Sequence, residues 1–270
     1  MIADLIDVWD VETFGEDLIA QLRANAGLVR DYTASERAMS LERYSSRRGG
    51  TYRGNPHTED YLRFLESLGQ RMKHRAIRAW HYTRLTDSEV DALRRAGVHL
   101  SNLETMRQRL DAQVATGQIS VEIANALFEK TPLRESQQVK SRSNRFWMTS
   151  HPLTVEDHDV ALLLKHWGGE VVYFWLEADK HLQQVVSGIG TARVIEIGVP
   201  LDATDHAYVA GKAIAATFAR SLGHIPDFGA FDVCAVRPLG PETILAVYTE
   251  GEATFDRIGR GYPINFHVSE

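Results

Sequence analysis

The sequence predicts an α+β protein. Helical periodicity dominates the first part of the chain, strand-like segments become frequent in the last third, and the two kinds of element are mixed unevenly rather than in regular strand–helix–strand units. Hydrophobic residues make up 44% of the 270 residues, which is enough to bury a core and excludes a chain that is disordered throughout. No apolar run approaches the roughly 20 residues of a membrane-spanning helix, so we expect no membrane partner.

The N-terminal part is predicted to be a helical extension. Apolar residues recur at helical spacing over about 11–30 and 58–74, which predicts two helices. The segment between them, 45–56, is rich in glycine and arginine, and we expect either a solvated connector or a flexible arm that closes over a substrate. We therefore predict a helical extension over 1–75 and an α+β catalytic-like domain over 76–270.

The first strand of that domain is followed by a helix with clear start and stop signals. Residues 77–83 alternate and are rich in β-favouring side chains, which predicts a strand. Thr86 and Glu89 have the spacing of a capping box, which predicts the start of a helix. Gly97 is suited to end that helix.

The middle of the chain is predicted to continue in helices and short strands. Residues 154–157 have the composition of a helix start, and Gly168 and Gly169 are expected to end that helix. The other elements predicted here are helices at about 102–115 and 120–129 and strands at 146–149 and 171–176.

The last third is predicted to contain three strands and one alanine-rich helix. The strands lie over 193–199, 231–236 and 243–248, and the helix runs over about 205–222. The loop 237–241 contains prolines and a glycine. We therefore expect the last two strands to be antiparallel neighbours.

Charge is distributed unevenly along the chain. Residues 1–150 contain 22 Lys and Arg against 20 Asp and Glu, whereas 151–270 contain 8 against 16, which together give the net charge of −6. An acidic second half argues against a protein that coats nucleic acid by charge alone. Basic residues cluster in two loops, where they could meet a phosphate-bearing ligand: Arg43, Arg47, Arg48 and Arg53 in one, and Lys140, Arg142 and Arg145 in the other.

Several classes of chemistry lack their motifs. The sequence has no G-x-S-x-G nucleophile elbow and no phosphate-binding loop of the G-x-x-x-x-G-K-S/T type. Cys234, the single cysteine, lies in an apolar strand and is expected to be a core thiol. Besides the two functions discussed below, a third hypothesis is a metal-dependent hydrolase that uses His151, His158 and His166. The spacing of these histidines matches no metal motif. The N-terminus lacks a basic region followed by an apolar stretch, so we expect a cytoplasmic protein.

One stretch gives a more specific signal. In its order of strand, His81, Thr83, capped helix and Gly97, it resembles the first motif of the ADP-ribosyltransferase superfamily, which includes diphtheria-toxin-like transferases and RNA 2′-phosphotransferases. The resemblance implies a mixed or antiparallel split sheet and NAD as the substrate. It also implies that His81 bonds a ribose of NAD and that the backbone of Tyr82 meets the nicotinamide amide.

The second motif of that family is similar to residues 145–150, together with the helix and strand predicted after them. The resemblance implies that an aromatic residue here stacks on nicotinamide: Trp147 or Phe146, with Tyr173 less favoured. Arginines beside the two strand motifs are the expected partners of the NAD pyrophosphate. The cofactor-binding residues that the resemblance implies are His81, Tyr82, Thr83, Arg84, Arg145, Trp147 and Ser150.

The third motif is an acidic residue, usually Glu, on a late strand, where it stabilises positive charge as nicotinamide leaves. Here Asp232 has the matching place in the chain and Glu196 is the alternative, so the catalytic residues implied are His81, Asp232 and Glu196. The resemblance implies an NAD-dependent ADP-ribosyltransferase that modifies a protein or nucleic-acid target, as a bacterial toxin or defence factor. Asp in place of Glu favours the alternative, a non-catalytic module of the same fold that binds a nucleotide or a protein.

Overall fold

The computed structural model describes residues 4–45, 54–226 and 228–258. These residues form helices and a mainly antiparallel sheet, which confirms the predicted α+β class. Most of the loop predicted over 45–56 lies outside the described residues. No helix in the described ranges is long and apolar enough to cross a membrane.

The elements are numbered along the chain. The helices are α1 (Glu16–Ala24), α2 (Ala26–Ser45), α3 (Thr58–Met72), α4 (Asp87–Ala96), α5 (Leu103–Ala115), α6 (Val121–Glu129), α7 (Ser136–Arg142), α8 (His158–Lys165), α9 (Glu170–Tyr173), α10 (Lys180–Gly188), α11 (Ala207–Ser221) and α12 (Ala253–Ile258). The strands are β1 (Leu5–Ile6), β2 (Ala76–Leu85), β3 (Phe146–Thr149), β4 (Thr191–Pro200), β5 (Asp232–Ala235) and β6 (Ile244–Thr249).

The described residues divide into two compact units. The first comprises Ala79–Val199 and the residues from Asp232 onward, and the second comprises the residues up to Arg78 together with Pro200–Phe231. The predicted boundary between residues 75 and 76 differs from this division, because α11 groups with the N-terminal helices. Sequence patterns report local structure, whereas this grouping depends on which distant helix α11 packs against.

In the second unit, α3 is an amphipathic helix that packs on α11. Five of the six apolar residues that the periodicity predicts to be buried are buried, whereas Leu62 is exposed; the buried ones are Tyr61, Phe64, Leu65, Leu68 and Met72. The helix predicted over 11–30 is instead two helices, α1 and α2, which are separated at Asn25. The Asn25 side chain bonds the carbonyl of Gln21, so it competes with helical bonding at this position.

The two helices α3 and α11 approach most closely at a pair of glycines. A Cβ built on Gly211 would lie 3.0 Å from the backbone nitrogen of Gly69 and 3.2 Å from Leu68 Cβ. A Cβ on Gly69 would lie 3.0 Å from Tyr208 Cα. These distances are shorter than ordinary van der Waals contact, so the two backbones meet without a side chain between them.

The sheet has the strand order β5-β3-β2-β4-β6, and β1 pairs in parallel with the first residues of β2. The pairs β2–β3, β3–β5 and β4–β6 are antiparallel. A split sheet was expected; the described strands form one sheet, in which β2 and β3 meet at a short junction between Trp80 and Thr149. The predicted strands over 77–83, 146–149 and 193–199 are confirmed as β2, β3 and β4.

The expected pairing of the last two strands is wrong. Both strands are present, but β5 pairs with β3 and β6 pairs with β4, so they lie at opposite edges of the sheet. The connecting segment bonds elsewhere: Leu239 exchanges two backbone hydrogen bonds with Val98, of 2.8 and 3.1 Å. The turn residues of this loop therefore indicate a change of direction but not the partner strand.

The prediction of a strand over 171–176 is also wrong. This segment contains the single helical turn α9, followed by a turn that leads to α10. Its β-favouring composition is overridden by packing, because Val172 and Leu176 lie four residues apart and are both buried in the same cluster as Trp167. Helix α8, predicted to open within 154–157, begins at His158 with Asp157 as its cap.

We predict that Gly211→Leu destabilises the protein by about 2 kcal/mol, because its side chain must fit between two backbones in contact. Equilibrium unfolding in urea measures the change. Gly27→Leu is the matched control, since Gly27 lies in helix α2 with no atom within 4 Å of a Cβ placed there. The control is expected to be neutral or slightly stabilising because leucine favours helix over glycine. Equal stability of the two variants would contradict the close contact.

Candidate functional site

The imidazole of His81 lies in the middle of β2 and makes one defined hydrogen bond. Its Nδ1 is 2.8 Å from the backbone oxygen of Trp147. Because a carbonyl oxygen can only accept, Nδ1 carries the proton and donates. Burial, together with the smaller effect of the positive charge of Arg109, lowers the pKa of His81 to about 4. His81 is therefore neutral near pH 7, and its other nitrogen, Nε2, is a hydrogen-bond acceptor.

Alternation along the strands decides which predicted residues lie beside His81. Trp80 is opposite Thr149, so these two point to one face of the sheet and His81 points to the other. On β3, Phe146 lies on the face of His81, and their ring centroids are 4.3 Å apart with the rings tilted by 35°. Trp147 points to the opposite face.

The predicted stacking residue Trp147 is therefore separated from His81 by the sheet. Its indole Nε1 donates to Ser141 O at 2.9 Å, and 44% of the residue is exposed. Tyr173, the less favoured aromatic, contacts the ring of His166 with centroids 5.1 Å apart. Of the three aromatic residues considered, Phe146 is the one that the structure places against His81.

The other predicted cofactor-binding residues are also divided by the sheet. Thr83 is buried on the face of His81, whereas Tyr82 and Arg84 alternate to the opposite face. The Tyr82 hydroxyl donates to Leu153 O at 3.2 Å, and Arg84 donates from Nε to Ile189 O at 3.0 Å. Both side chains are thus bonded to the protein's own backbone.

Arg145 and Ser150 flank β3, and Arg145 does not share the face of His81. The guanidinium of Arg145 contacts Cys234 Sγ at 3.9 Å, and Cys234 is opposite Trp147 in the β3–β5 register. Arg145 therefore lies on the side of Trp147. Ser150 is completely buried just beyond the end of β3.

Neither predicted acid lies on the face of His81. Asp232 is exposed at the start of β5, opposite Thr149, so it shares the face of Trp80. Glu196 is buried on β4 and accepts a hydrogen bond from the Tyr248 hydroxyl. Glu196 is two residues from Val194 on the strand, so both point to the same face. Val194 packs in the cluster of Trp80, and Glu196 therefore also points away from the face of His81.

A partly buried carboxylate that the sequence indicated only as a helix cap, Glu89, lies at the centre of a polar network. Glu89 Oε1 accepts from Arg109 Nε at 2.9 Å and Nη2 at 2.8 Å. Its Oε2 accepts from Trp167 Nε1 at 2.8 Å and from Thr86 N at 2.9 Å. Burial alone would raise the pKa of Glu89, but the charge of Arg109 and these hydrogen bonds hold it below its usual range.

Arg109 connects this network to His81, and sequence reasoning missed it. Its guanidinium stacks over the Trp167 ring at 4.8 Å from the centroid. Its positive charge is close enough to His81 to lower the pKa of the imidazole. The capping box located Glu89, but no local pattern signals its pairing with a side chain twenty residues away.

The histidines of the third hypothesis do not form a metal site. Within residues 4–45, 54–226 and 228–258, no group of three or more His, Cys, Asp or Glu side chains could hold a metal ion. The Nδ1 of His166 bonds Leu162 O at 3.1 Å, within its own helix turn. The described structure gives no support to a metal-dependent hydrolase.

We predict that Glu89→Gln lowers stability by about 2 kcal/mol at about pH 7, because Arg109 then lacks its charge partner; the partial exposure of Arg109 moderates the effect. The pKa of Glu89 is lower in the folded protein than in the unfolded chain, so its ionised carboxylate stabilises the fold above the unfolded pKa. This stabilisation is lost as the pH falls through the folded pKa. The difference in unfolding free energy between wild type and variant should therefore become smaller below about pH 4.5. Urea unfolding across this range measures it.

The control for that prediction is Glu104→Gln, which removes an exposed carboxylate from α5. We expect its unfolding free energy to stay within about 0.5 kcal/mol of wild type. A Glu89→Gln protein as stable as wild type at neutral pH would show that the network does not stabilise the fold.

We predict that the His81 imidazole shows no titration between about pH 5.5 and pH 8, whereas a histidine of ordinary pKa titrates near 6.5. Nitrogen-15 NMR of the ring should show a proton on Nδ1 and a lone pair on Nε2, because Nδ1 donates to Trp147 O. A titration midpoint near 6.5, or the opposite tautomer, would contradict the described environment.

Comparison with known proteins did not identify a relative: no protein-family model, no curated protein and no solved structure matches this chain.

Proposed function

We propose that this protein binds NAD at the face of β2 that presents His81 and transfers its ADP-ribose to a protein or nucleic-acid target. The main support is the state of His81. Its Nδ1–H is engaged by Trp147 O and the ring is neutral, so Nε2 can accept a hydrogen bond from a ribose hydroxyl. The resemblance of His81 and Thr83 to the first motif of the ADP-ribosyltransferases points to the same ligand.

Phe146 is the aromatic residue that we propose for the nicotinamide ring. It lies 4.3 Å from His81, centroid to centroid, and is only partly buried. A planar ring held there would contact Phe146 while the attached ribose reaches Nε2 of His81. Aromatic pairs of this kind contribute roughly 0.5–1.5 kcal/mol beyond the area that they bury. Phe146 takes this role in place of Trp147, which points to the other face.

Arg109 is the cation that we propose for the NAD pyrophosphate. Two of its nitrogens, Nε and Nη2, bind Glu89, whereas Nη1 makes no hydrogen bond within the described residues. A guanidinium can bind a carboxylate and a phosphate through different edges because it has five donors in one plane. The ion pair with Glu89 orients the group before the ligand arrives.

The transfer that we propose breaks the bond between ribose C1′ and the nicotinamide nitrogen. Nicotinamide leaves with the electron pair of that bond, which neutralises its ring, and positive charge develops on the ribose. A hydroxyl, amine or carboxylate of the target then bonds C1′, and any proton it releases goes to a base. An acid beside C1′ would stabilise the developing charge. From the resemblance we infer a role as a toxin or defence factor, and from the composition and the single cysteine a cytoplasmic location.

A second candidate, a non-catalytic nucleotide-binding module, is favoured by the position of the acids. Asp232 and Glu196 both lie on the face of the sheet away from His81. Glu89, the partly buried carboxylate at the start of α4, is occupied by Arg109 and Trp167. In this candidate, His81 still binds the nucleotide, but no ADP-ribose is transferred.

We predict that NAD at about 100 times its Kd stabilises the wild-type protein by about 2.7 kcal/mol, which appears as a rise in melting temperature. His81→Ala should abolish the rise because the ribose loses its acceptor, and Phe146→Ala should reduce it. His99→Ala is the matched control, since His99 is an exposed histidine of the same unit. If NAD gives no rise with wild type, NAD is not the ligand.

Release of nicotinamide from NAD distinguishes the two candidates. A transferase releases nicotinamide, and the release stops in His81→Ala. Comparison of Asp232→Asn with Glu196→Gln then identifies which acid, if either, takes part. Binding of NAD without release over hours would support the non-catalytic module.

A further inference from the structure

A shallow hollow of about 340 Å³ lies where α4 begins and α5 ends. It is lined by Thr86, Asp87, Ser88, Gln113, Gly190 and Thr191, among others. His81 and Phe146 are not among the residues that line it. The hollow is therefore a place in the first unit, apart from His81 and Phe146, where polar groups surround an open volume.

Gln113 is the residue that suggests a ligand. It is 98% buried, with 2% of its surface exposed, and it lines the hollow. Its backbone oxygen accepts a hydrogen bond from Gln118 N at 2.9 Å, which is part of the end of α5. Its side-chain amide has no hydrogen-bond partner among the described residues. The amide is not sealed off from the hollow, so its donor and its acceptor can bond a ligand there.

The start of α4 supplies further polar groups to the same hollow. The Thr86 hydroxyl caps the helix by accepting from Glu89 N at 3.3 Å, and it lies 3.0 Å from the Ser88 hydroxyl. Asp87 and Ser88 are the first residues of the helix, where backbone N–H groups lack partners within the helix itself. Hydroxyls, an amide and free N–H groups therefore face one volume.

The charge at this site is balanced. The Asp87 carboxylate is paired with the buried guanidinium of Arg193, which also donates to Thr249 Oγ1 at 2.7 Å. A phosphate would meet the Asp87 carboxylate, whose charge is already balanced by Arg193, so neither an anion nor a cation is favoured. A carboxylate that accepts hydrogen bonds, beside hydroxyls and an amide, suits the neighbouring hydroxyl groups of a neutral ligand.

We propose that this hollow binds a neutral polyhydroxyl ligand of about the size of a monosaccharide, with the Gln113 amide as its buried contact. The amide donates to one ligand oxygen and accepts from one ligand hydroxyl, while Asp87 accepts from another. The residues that line the hollow and that we have named are not aromatic, so recognition depends on hydrogen bonds rather than on ring stacking. The proposal does not depend on NAD binding at His81.

The test uses D-ribose, D-glucose and myo-inositol as probes on the full chain, with inorganic phosphate as the charged comparison. Each is added up to about 50 mM, because millimolar dissociation constants are expected for such small ligands. Two-dimensional NMR follows the side-chain amide of Gln113 and the backbone amides of Asp87 and Ser88. At least one polyol should shift these signals saturably, and phosphate should not.

Gln113→Leu should reduce the affinity for that polyol at least tenfold. Its melting temperature without ligand checks that the variant is folded, which we expect because leucine has a similar volume. Gln108→Leu is the matched control, since Gln108 is an exposed glutamine of the same helix. Ser88→Ala provides a second variant at the exposed side of the hollow, and we expect it to weaken binding several-fold.

Three results would overturn the proposal. The first is the absence of any saturable shift with all three polyols. The second is unchanged affinity in Gln113→Leu and Ser88→Ala. The third is a response to phosphate alone, which would mark the start of α4 as an anion site. Failure of NAD to bind would leave these measurements unaffected, so the two proposals can fail separately.

Discussion

The partly buried carboxylate of Glu89 makes the hydrogen bonds and the ion pair on which the arrangement of the first unit depends. It bonds the start of its own helix at Thr86, the guanidinium of Arg109 on α5, and the indole of Trp167. A buried charge is tolerated only when such partners surround it, so these segments have to come together in one geometry. The same pairing holds Arg109 near His81, where its charge helps to keep the imidazole neutral.

The alternation of side chains across the sheet decides which residues can act together. A strand presents successive side chains to opposite faces, so neighbours in sequence are not neighbours in space. His81 and Tyr82 are adjacent in the chain yet lie on different faces, and the same holds for Phe146 and Trp147. One face thus has a neutral imidazole beside an aromatic ring, whereas the candidate acids lie on the other.

Much of the fold was predictable because its signals are local. The capping box of Thr86 and Glu89 and the glycine that ends α4 are both present, since each depends on a few adjacent residues. The strand predicted over 171–176 failed because Val172 and Leu176 pack on a distant cluster, which outweighs their preference for strands. The partner of β5 was not predictable, because a loop indicates only where the chain turns and not which strand it joins.

For the candidate site, the sequence by itself determined the position of His81 on a strand, the helix start after it and the presence of an aromatic pair at 146 and 147. Only the tertiary structure decided which aromatic of the pair contacts His81, that Asp232 and Glu196 lie away from it, and that Arg109 lies near it. The reason is physical: hydrogen-bonding and periodicity signals act within a few residues. Strand register and ion pairing join residues far apart in the chain, and these decide the chemistry at the site.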